Sequence, residues 1–183
     1  MIETERLLLR PPVPDDLAWQ LAELNTPAVM RHLGGVRDAD AVARSLERDK
    51  SALAEGRYGF WTVVLRETGQ PVGRCGLAQV WEELAPPTLR SGIQVGWSFA
   101  ERHWGRGLAS EAARAVIGHG FTVCGLDEIW AQTSESNQAS TQMMARLGFR
   151  RRPDLDYADP GYPPEDNPTT VYHLGRGDWT QAG

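Results

Sequence analysis

The stretch that most constrains this chain runs from Gly92 to Ala112, where a strand, a tight turn with two glycines and a helix start follow one another directly. Ile93, Val95, Trp97 and Phe99 alternate with Gln94, Gly96 and Ser98, the period of a strand whose two faces meet different surroundings. Beyond the turn, Ala109, Ala112, Ala113, Val116, Ile117, Gly120 and Phe121 recur at helical spacing, so a helix leaves with an apolar face. Between them, Gly105 and Gly107 can take backbone angles closed to other residues and let a ligand approach the main chain. The first amides of the helix lack intrahelical acceptors and, with the helix dipole, favour an anion. Arg102 and Arg106 add positive charge at the rim. A pyrophosphate fits this arrangement; two glycines that merely make a sharp connection would read the same.

Two familiar nucleotide motifs are excluded. A P-loop needs Gly-x-x-x-x-Gly-Lys-Ser/Thr, and no Lys follows these glycines. A dinucleotide fold needs Gly-x-Gly-x-x-Gly, whereas the residue three after Gly107 is Ser110.

The run Trp104-Gly105-Arg106-Gly107-Leu108-Ala109 resembles the acyl-CoA-binding segment of the GNAT N-acetyltransferase superfamily, in which Gln/Arg-x-x-Gly-x-Gly/Ala follows a strand and opens a helix. Trp104 departs from the Gln/Arg position. Continued through Ser110-Glu111-Ala112, the run is similar to the branch named for N-terminal acetylation of ribosomal proteins. The resemblance extends along almost the whole chain. Glu3 to Pro11 is similar to the branch's opening strand, Asn137 to Ser140 with Leu147-Gly148-Phe149 to its second cofactor motif, and Val171 to Leu174 with Asp178-Trp179 to its close. It implies an α/β, single-domain GNAT-like fold over residues 1–183. In that fold a central mixed twisted sheet is flanked by helices, and two neighbouring parallel strands splay apart.

Composition agrees with one domain. Of 183 residues, 41% are hydrophobic, seven of them Trp, which supplies one sizeable core and is too little chain for two ordinary domains. The net charge of −5 argues against nucleic-acid binding, which needs a basic surface, and suits a cationic partner. With no basic-then-apolar leader and no apolar run long enough for a bilayer, the expectation is a soluble cytoplasmic protein without a membrane partner. Cys75 and Cys124 make no metal or redox spacing and read as structural thiols in a reducing compartment. The four histidines are scattered, and no metal is assigned.

Leu7 to Leu9 read as a first strand, and Pro14-Asp15-Asp16 opens a helix with Leu17, Leu21 and Leu24 on one face. Val29 to Arg37 reads as a loop; in a GNAT fold this connection commonly borders the acceptor pocket, which makes Met30, His32 and Leu33 candidate substrate contacts, although alone they read as ordinary loop residues. A second helix spans 38–55. Strands over 60–65 and 72–80 form a hairpin, and the segment from Trp81 to Arg90, with Pro86 and Pro87, breaks the pairing. A strand follows over 128–134 and a helix over 137–147, with Ala139, Met143 and Leu147 facing the core and Asn137, Ser140, Thr141 and Met144 on a second stripe. Arg150 to Arg152 form a basic run, solvated or near a cofactor phosphate. The acidic, Pro-rich loop 153–168 has the length of a functional lid or a partly disordered segment.

The resemblance implies acetyl-CoA as cofactor and direct attack by an amine without an acyl-enzyme. Main-chain groups near Val95, Trp97 and Phe99 would bond the pantetheine arm and polarise the acetyl carbonyl. Arg102, Trp104, Gly105, Arg106, Gly107, Leu108 and Ala109 would hold the phosphates. Asn137 and Ser140 would contact the cofactor, although Asn137 alone reads equally as a helix cap. The family often places a proton-donating Tyr where this chain has Met144. The resembling branch carries Ser at the position of Ser140, which implies Ser140 as the substitute acid for the departing thiolate, although it reads equally as a residue that only binds cofactor or satisfies the helix backbone. It often places a Glu where this chain has Gln94, an amide able only to orient a water. Glu82, Glu83, Asp156 and Asp159 are the carboxylates expected on the acceptor side, and each also reads as a solvated loop acid. The acceptor is a small amine or a protein N-terminus, and the branch leaves the oligomeric state open, a homodimer included. With two frequent catalytic groups replaced, an acyl-CoA-binding or regulatory module with little catalysis is the alternative.

Overall fold

The computed structural model describes residues 1–80 and 82–179. Its elements, in chain order, are β1 (Ile2–Glu3), β2 (Leu7–Arg10), α1 (Asp16–Glu23), α2 (Pro27–Met30), α3 (Ala39–Ala54), β3 (Phe60–Leu65), β4 (Pro71–Gln79), α4 (Pro87–Arg90), β5 (Ile93–Phe99), α5 (Leu108–Thr122), β6 (Glu128–Ser134), α6 (Gln138–Arg146), β7 (Arg150–Arg151) and β8 (Thr169–Gly175). Short 3-10 turns lie at Glu101–His103, Pro153–Leu155, Pro164–Asp166 and Arg176–Asp178.

The eight strands form one mixed sheet in the order β1-β2-β3-β4-β5-β6-β8-β7. Antiparallel ladders join β1 to β2, β2 to β3, β3 to β4, β6 to β8 and β7 to β8, whereas β5 and β6 are parallel. Among the described residues the parallel ladder is one pair long, Gln94 against Trp130, while β6 and β8 pair over their full length. A parallel pair this short is the splayed arrangement expected of the fold. No helix among the described residues is long and apolar enough to cross a membrane.

The chain packs as two compact units, Met1–Ala78 with Gly96–Val116, and Gln79–Val95 with the chain from Ile117 onward. In the first, Leu7, Leu9, Val63, Val72 and Phe99 are buried. Gly96 belongs there because a side chain at that position would stand 2.8 Å from the Phe60 ring. In the second, Val80, Ala85, Leu89, Trp130, Leu155 and Val171 cluster, with Tyr157 packed against them.

Several expectations are corrected. Leu24 is buried as expected and Leu17 and Leu21 are half-buried, but the buried face of α1 also carries Asp16 and Gln20, because Arg10 and Thr62 hold the Asp16 carboxylate inward. Val29 and Met30, at the start of the loop expected over 29–37, belong to α2, capped by the Thr26 hydroxyl. On α6, Met143 and Leu147 are buried as expected, but Ala139 is exposed and Met144, expected on the second stripe, is buried. The basic run is neither free nor merely solvated: Arg150 pairs with Asp178, Arg151 with Asp156 and Arg152 with Asp154. The 153–168 loop is internally tied, since Asn167 donates to the Asp159, Tyr162 and Pro163 carbonyls and Asp166 is buried. The break expected from Trp81 is seen from Glu82, and Trp81 lies outside the described residues.

Candidate active site

The Gly corner lies in the first unit. After β5, the 3-10 turn Glu101–His103 leads through Trp104, Gly105, Arg106 and Gly107 into α5. Gly105 and Gly107 have φ of 72° and 75°, a left-handed conformation that L-residues with side chains rarely adopt. Nothing lies within 4 Å of where a Gly105 side chain would begin, and at Gly107 only the Arg6 Nη2 approaches, at 3.6 Å. The corner is therefore open in front of its backbone, with the first amides of α5, from Leu108 and Ala109, at its end. Trp104 explains its departure from the family pattern. Its indole N–H donates to the Phe99 carbonyl at 2.7 Å, closing the corner onto the strand end. That bond takes one of the two acceptor positions of the Phe99 carbonyl.

The cations of the corner are held in place. Arg102 Nη1 donates to Glu23 at 2.5 Å. His103 is buried, with Arg102 Nε at 3.2 Å from its Nε2 and Arg106 Nη1 at 3.0 Å from its Nδ1. Burial, reinforced by the charges of Arg102 and Arg106 against a smaller opposing effect of Glu23, lowers its pKa and keeps the ring neutral at neutral pH. A neutral imidazole accepts at one nitrogen only, so the two guanidinium contacts cannot both be satisfied, and cationic hydrogen-bonding capacity remains for an anion. Open left-handed glycines, helix amides and this capacity fit a diphosphate.

The second unit carries a polar chain beside the β5–β6 pair. The Tyr157 hydroxyl donates to Gln132 Oε1 at 2.6 Å, Gln132 Nε2 to Gln94 Oε1 at 2.9 Å, and Gln94 Nε2 approaches Glu82 Oε1 at 3.4 Å. The direction of every bond follows from the one before it. Burial, followed by the charges of Glu82 and Asp159, raises the pKa of Tyr157, and burial with Asp159 and Glu82 raises that of Tyr162. Both phenols therefore remain donors.

Of the other expected acceptor-side acids, Glu83 is exposed and Asp159 accepts from the Gly161 amide at 2.8 Å. Asp156 is not available: Arg151 donates to its oxygens at 2.5 and 2.6 Å and the Val171 amide at 3.1 Å. Asn137 is the cap of α6, its Oδ1 accepting from the Ser140 amide at 3.2 Å. Ser140 is half-buried on the first turn of that helix, and Val95 is buried on β5 with Trp97 half-buried. Gln132 and Tyr157 escaped the sequence reading. Gln132 is one polar residue in an alternating strand, Tyr157 one aromatic in an irregular loop, and no local pattern announces that they meet.

Comparison with known proteins agrees with this geometry. A family model described as "Acetyltransferase (GNAT) domain" matches residues 6–150. The uncharacterized N-acetyltransferase YnaD of Bacillus subtilis (strain 168) is 36% identical over 154 residues, 82% of each chain. A crystal structure of the acetyltransferase from Agrobacterium tumefaciens str. C58 matches with a TM-score of 0.78 and 26% identity, covering 96% of this chain and 94% of that one. The aminoglycoside acetyltransferase AAC(6')-Ib, solved in complex with coenzyme A, shares the fold with a TM-score of 0.70 at 20% identity, covering 94% and 96%. By the match over residues 6–150 and the likeness to YnaD, this chain belongs to the GNAT acetyltransferase family, whose acyl donor is acetyl-CoA.

Proposed function

We propose that residues 1–183 act as a single acetyl-CoA-dependent N-acetyltransferase domain, moving an acetyl group to a primary amine by direct attack. The observation that carries this reading is the open Gly105–Gly107 corner at the start of α5, cationic at its rim. The cofactor supplies a thioester activated for transfer. Amides of Gly105 to Ala109, with Arg102 and Arg106, hold its diphosphate, and main-chain groups of Val95 and Trp97 receive the slender arm. Asn137 and Ser140 contact it from α6.

For the proton steps, Glu82 would draw the ammonium and take one proton from it, leaving the neutral amine that attacks. Gln94, oriented through Gln132 and Tyr157, directs its amide towards that carboxylate. Glu83 and Asp159 add negative charge on the same side. The Ser140 hydroxyl would donate to the departing sulfur as the C–S bond breaks and regain its proton from the nitrogen, which sheds its second one as the amide forms. The run Trp104 to Ala112 supports the branch acting on protein N-termini, and a small amine is the other acceptor class. Two free thiols, one of them buried, suit a reducing cytoplasm.

Thiol release across a panel of small amines and N-terminal peptides, with products identified by mass spectrometry, tests the proposal. Transfer to at least one amine, reduced in Ser140→Ala and Glu82→Gln, is expected. Tight CoA binding with no transfer would instead favour an acyl-CoA-binding module, the reading to which buried Met144 and Gln94, in place of Tyr and Glu, lend weight.

A further inference from the structure

Resting on the reading of the Gly corner as the diphosphate site, we propose that Arg6 is a positioning residue for that site, clamping the corner from a hundred residues earlier in the chain. Both lie in the first unit. The Arg6 Nη1 donates to the Arg106 carbonyl at 3.0 Å, and its Nε donates to Glu111 Oε2 at 2.7 Å. Glu111 is anchored in turn: its Oε1 accepts from the Thr4 hydroxyl at 2.5 Å and the Arg6 amide at 2.9 Å. One guanidinium thus joins the carbonyl in the middle of the corner to a carboxylate on the first turn of α5.

The planar trans peptide makes this contact consequential. With the Arg106 carbonyl turned to Arg6, the Gly107 N–H of the same peptide must point the opposite way, away from the guanidinium and free for a ligand. Without the clamp, Arg106 stands between two glycines with left-handed freedom, and ordering the peptide that follows it would be charged against binding. The remaining Arg6 Nη2 stands 3.6 Å from where a Gly107 side chain would begin, so the guanidinium packs against the corner on the side of the Arg106 carbonyl. Burial by itself would raise the Glu111 pKa, but the bonds from Thr4 and Arg6 outweigh it and lower it, so the anchor stays ionised at neutral pH. Thr4, Arg6 and Glu111 fall in the two sequence runs that the family resemblance singled out without a reason, and the clamp supplies one.

The test is CoA affinity by titration calorimetry, with thermal unfolding alongside, for wild type, Arg6→Ala, Arg6→Lys and Arg66→Ala. Arg66 donates to the Thr4 carbonyl at 2.8 Å, so its loss loosens the same N-terminal strap without touching the corner. Arg6→Ala is expected to weaken CoA binding about tenfold. Arg6→Lys, which can reach Glu111 or the Arg106 carbonyl but not both, should fold and fall between, and Arg66→Ala should keep wild-type affinity at a lower Tm. Pantetheine, which lacks the diphosphate, should inhibit wild type and Arg6→Lys equally. CoA affinity unchanged in both Arg6 variants, or lost equally in Arg66→Ala, overturns the clamp while leaving the corner as the CoA site. A wild-type protein that binds no CoA overturns the reading of the corner itself.

Discussion

Asp16 shows how a single residue can be read correctly for its place and wrongly for its purpose. In sequence it is a helix-opening acid, favourable near the positive end of α1. In the fold it is buried, accepting two bonds from Arg10 at 2.7 Å, one from the Val13 amide at 2.9 Å and one from Thr62 at 2.8 Å. Burial alone would raise its pKa, yet these bonds, that from Arg10 foremost, lower it below the ordinary 3.8. A carboxyl whose folded pKa is depressed stabilises fully above its unfolded value, and that stability is lost as pH falls through the folded value. Asp16→Asn should therefore cost about 3 kcal/mol at neutral pH, since it leaves Arg10 without its counter-charge. The deficit should shrink in acid, below pH 3.8. Urea unfolding at several pH values checks both; equal stability of the two proteins at neutral pH would show that the pair contributes nothing net.

At the scale of the element, the corner was legible because strand alternation, two glycines and helical periodicity are all local patterns. What could not be read was how its side chains are spent, with Trp104 on the Phe99 carbonyl and Arg102 on Glu23. Gly107→Val separates a connection from a binding site. The left-handed φ of 75° imposes strain on Val of roughly 1–2 kcal/mol, and the side chain then fills the space in front of the amides. Gly125, at φ 71° with nothing within 4 Å, sets the control, because Gly125→Val carries the same strain outside the corner. Both variants should lower Tm alike, but only Gly107→Val should lose CoA affinity. Equal CoA binding by the two would reduce the corner to a turn.

For the whole molecule, binding to the folded state alone makes stability a reporter of the cofactor. At a CoA concentration about a hundredfold above its Kd, linkage adds about 2.7 kcal/mol. For a chain of 183 residues that is a rise in Tm of roughly 5–10 °C, readable by thermal shift before any acceptor amine is known. No shift at any concentration would mean that CoA does not recognise the fold. The sequence by itself determined the order of the long strands and helices, the place of the two-glycine turn and the family resemblance, since these rest on how short segments divide themselves between water and core, on which backbone angles glycines allow and on local motifs. Only the tertiary structure decided that Asp156 belongs to Arg151, that Tyr157 reaches Glu82 through two glutamines, and that Arg6 holds the Arg106 carbonyl. Those partners are joined by sheet topology across 5, 25 and 100 positions of chain, and a charged or amide side chain carries no periodicity that names its partner.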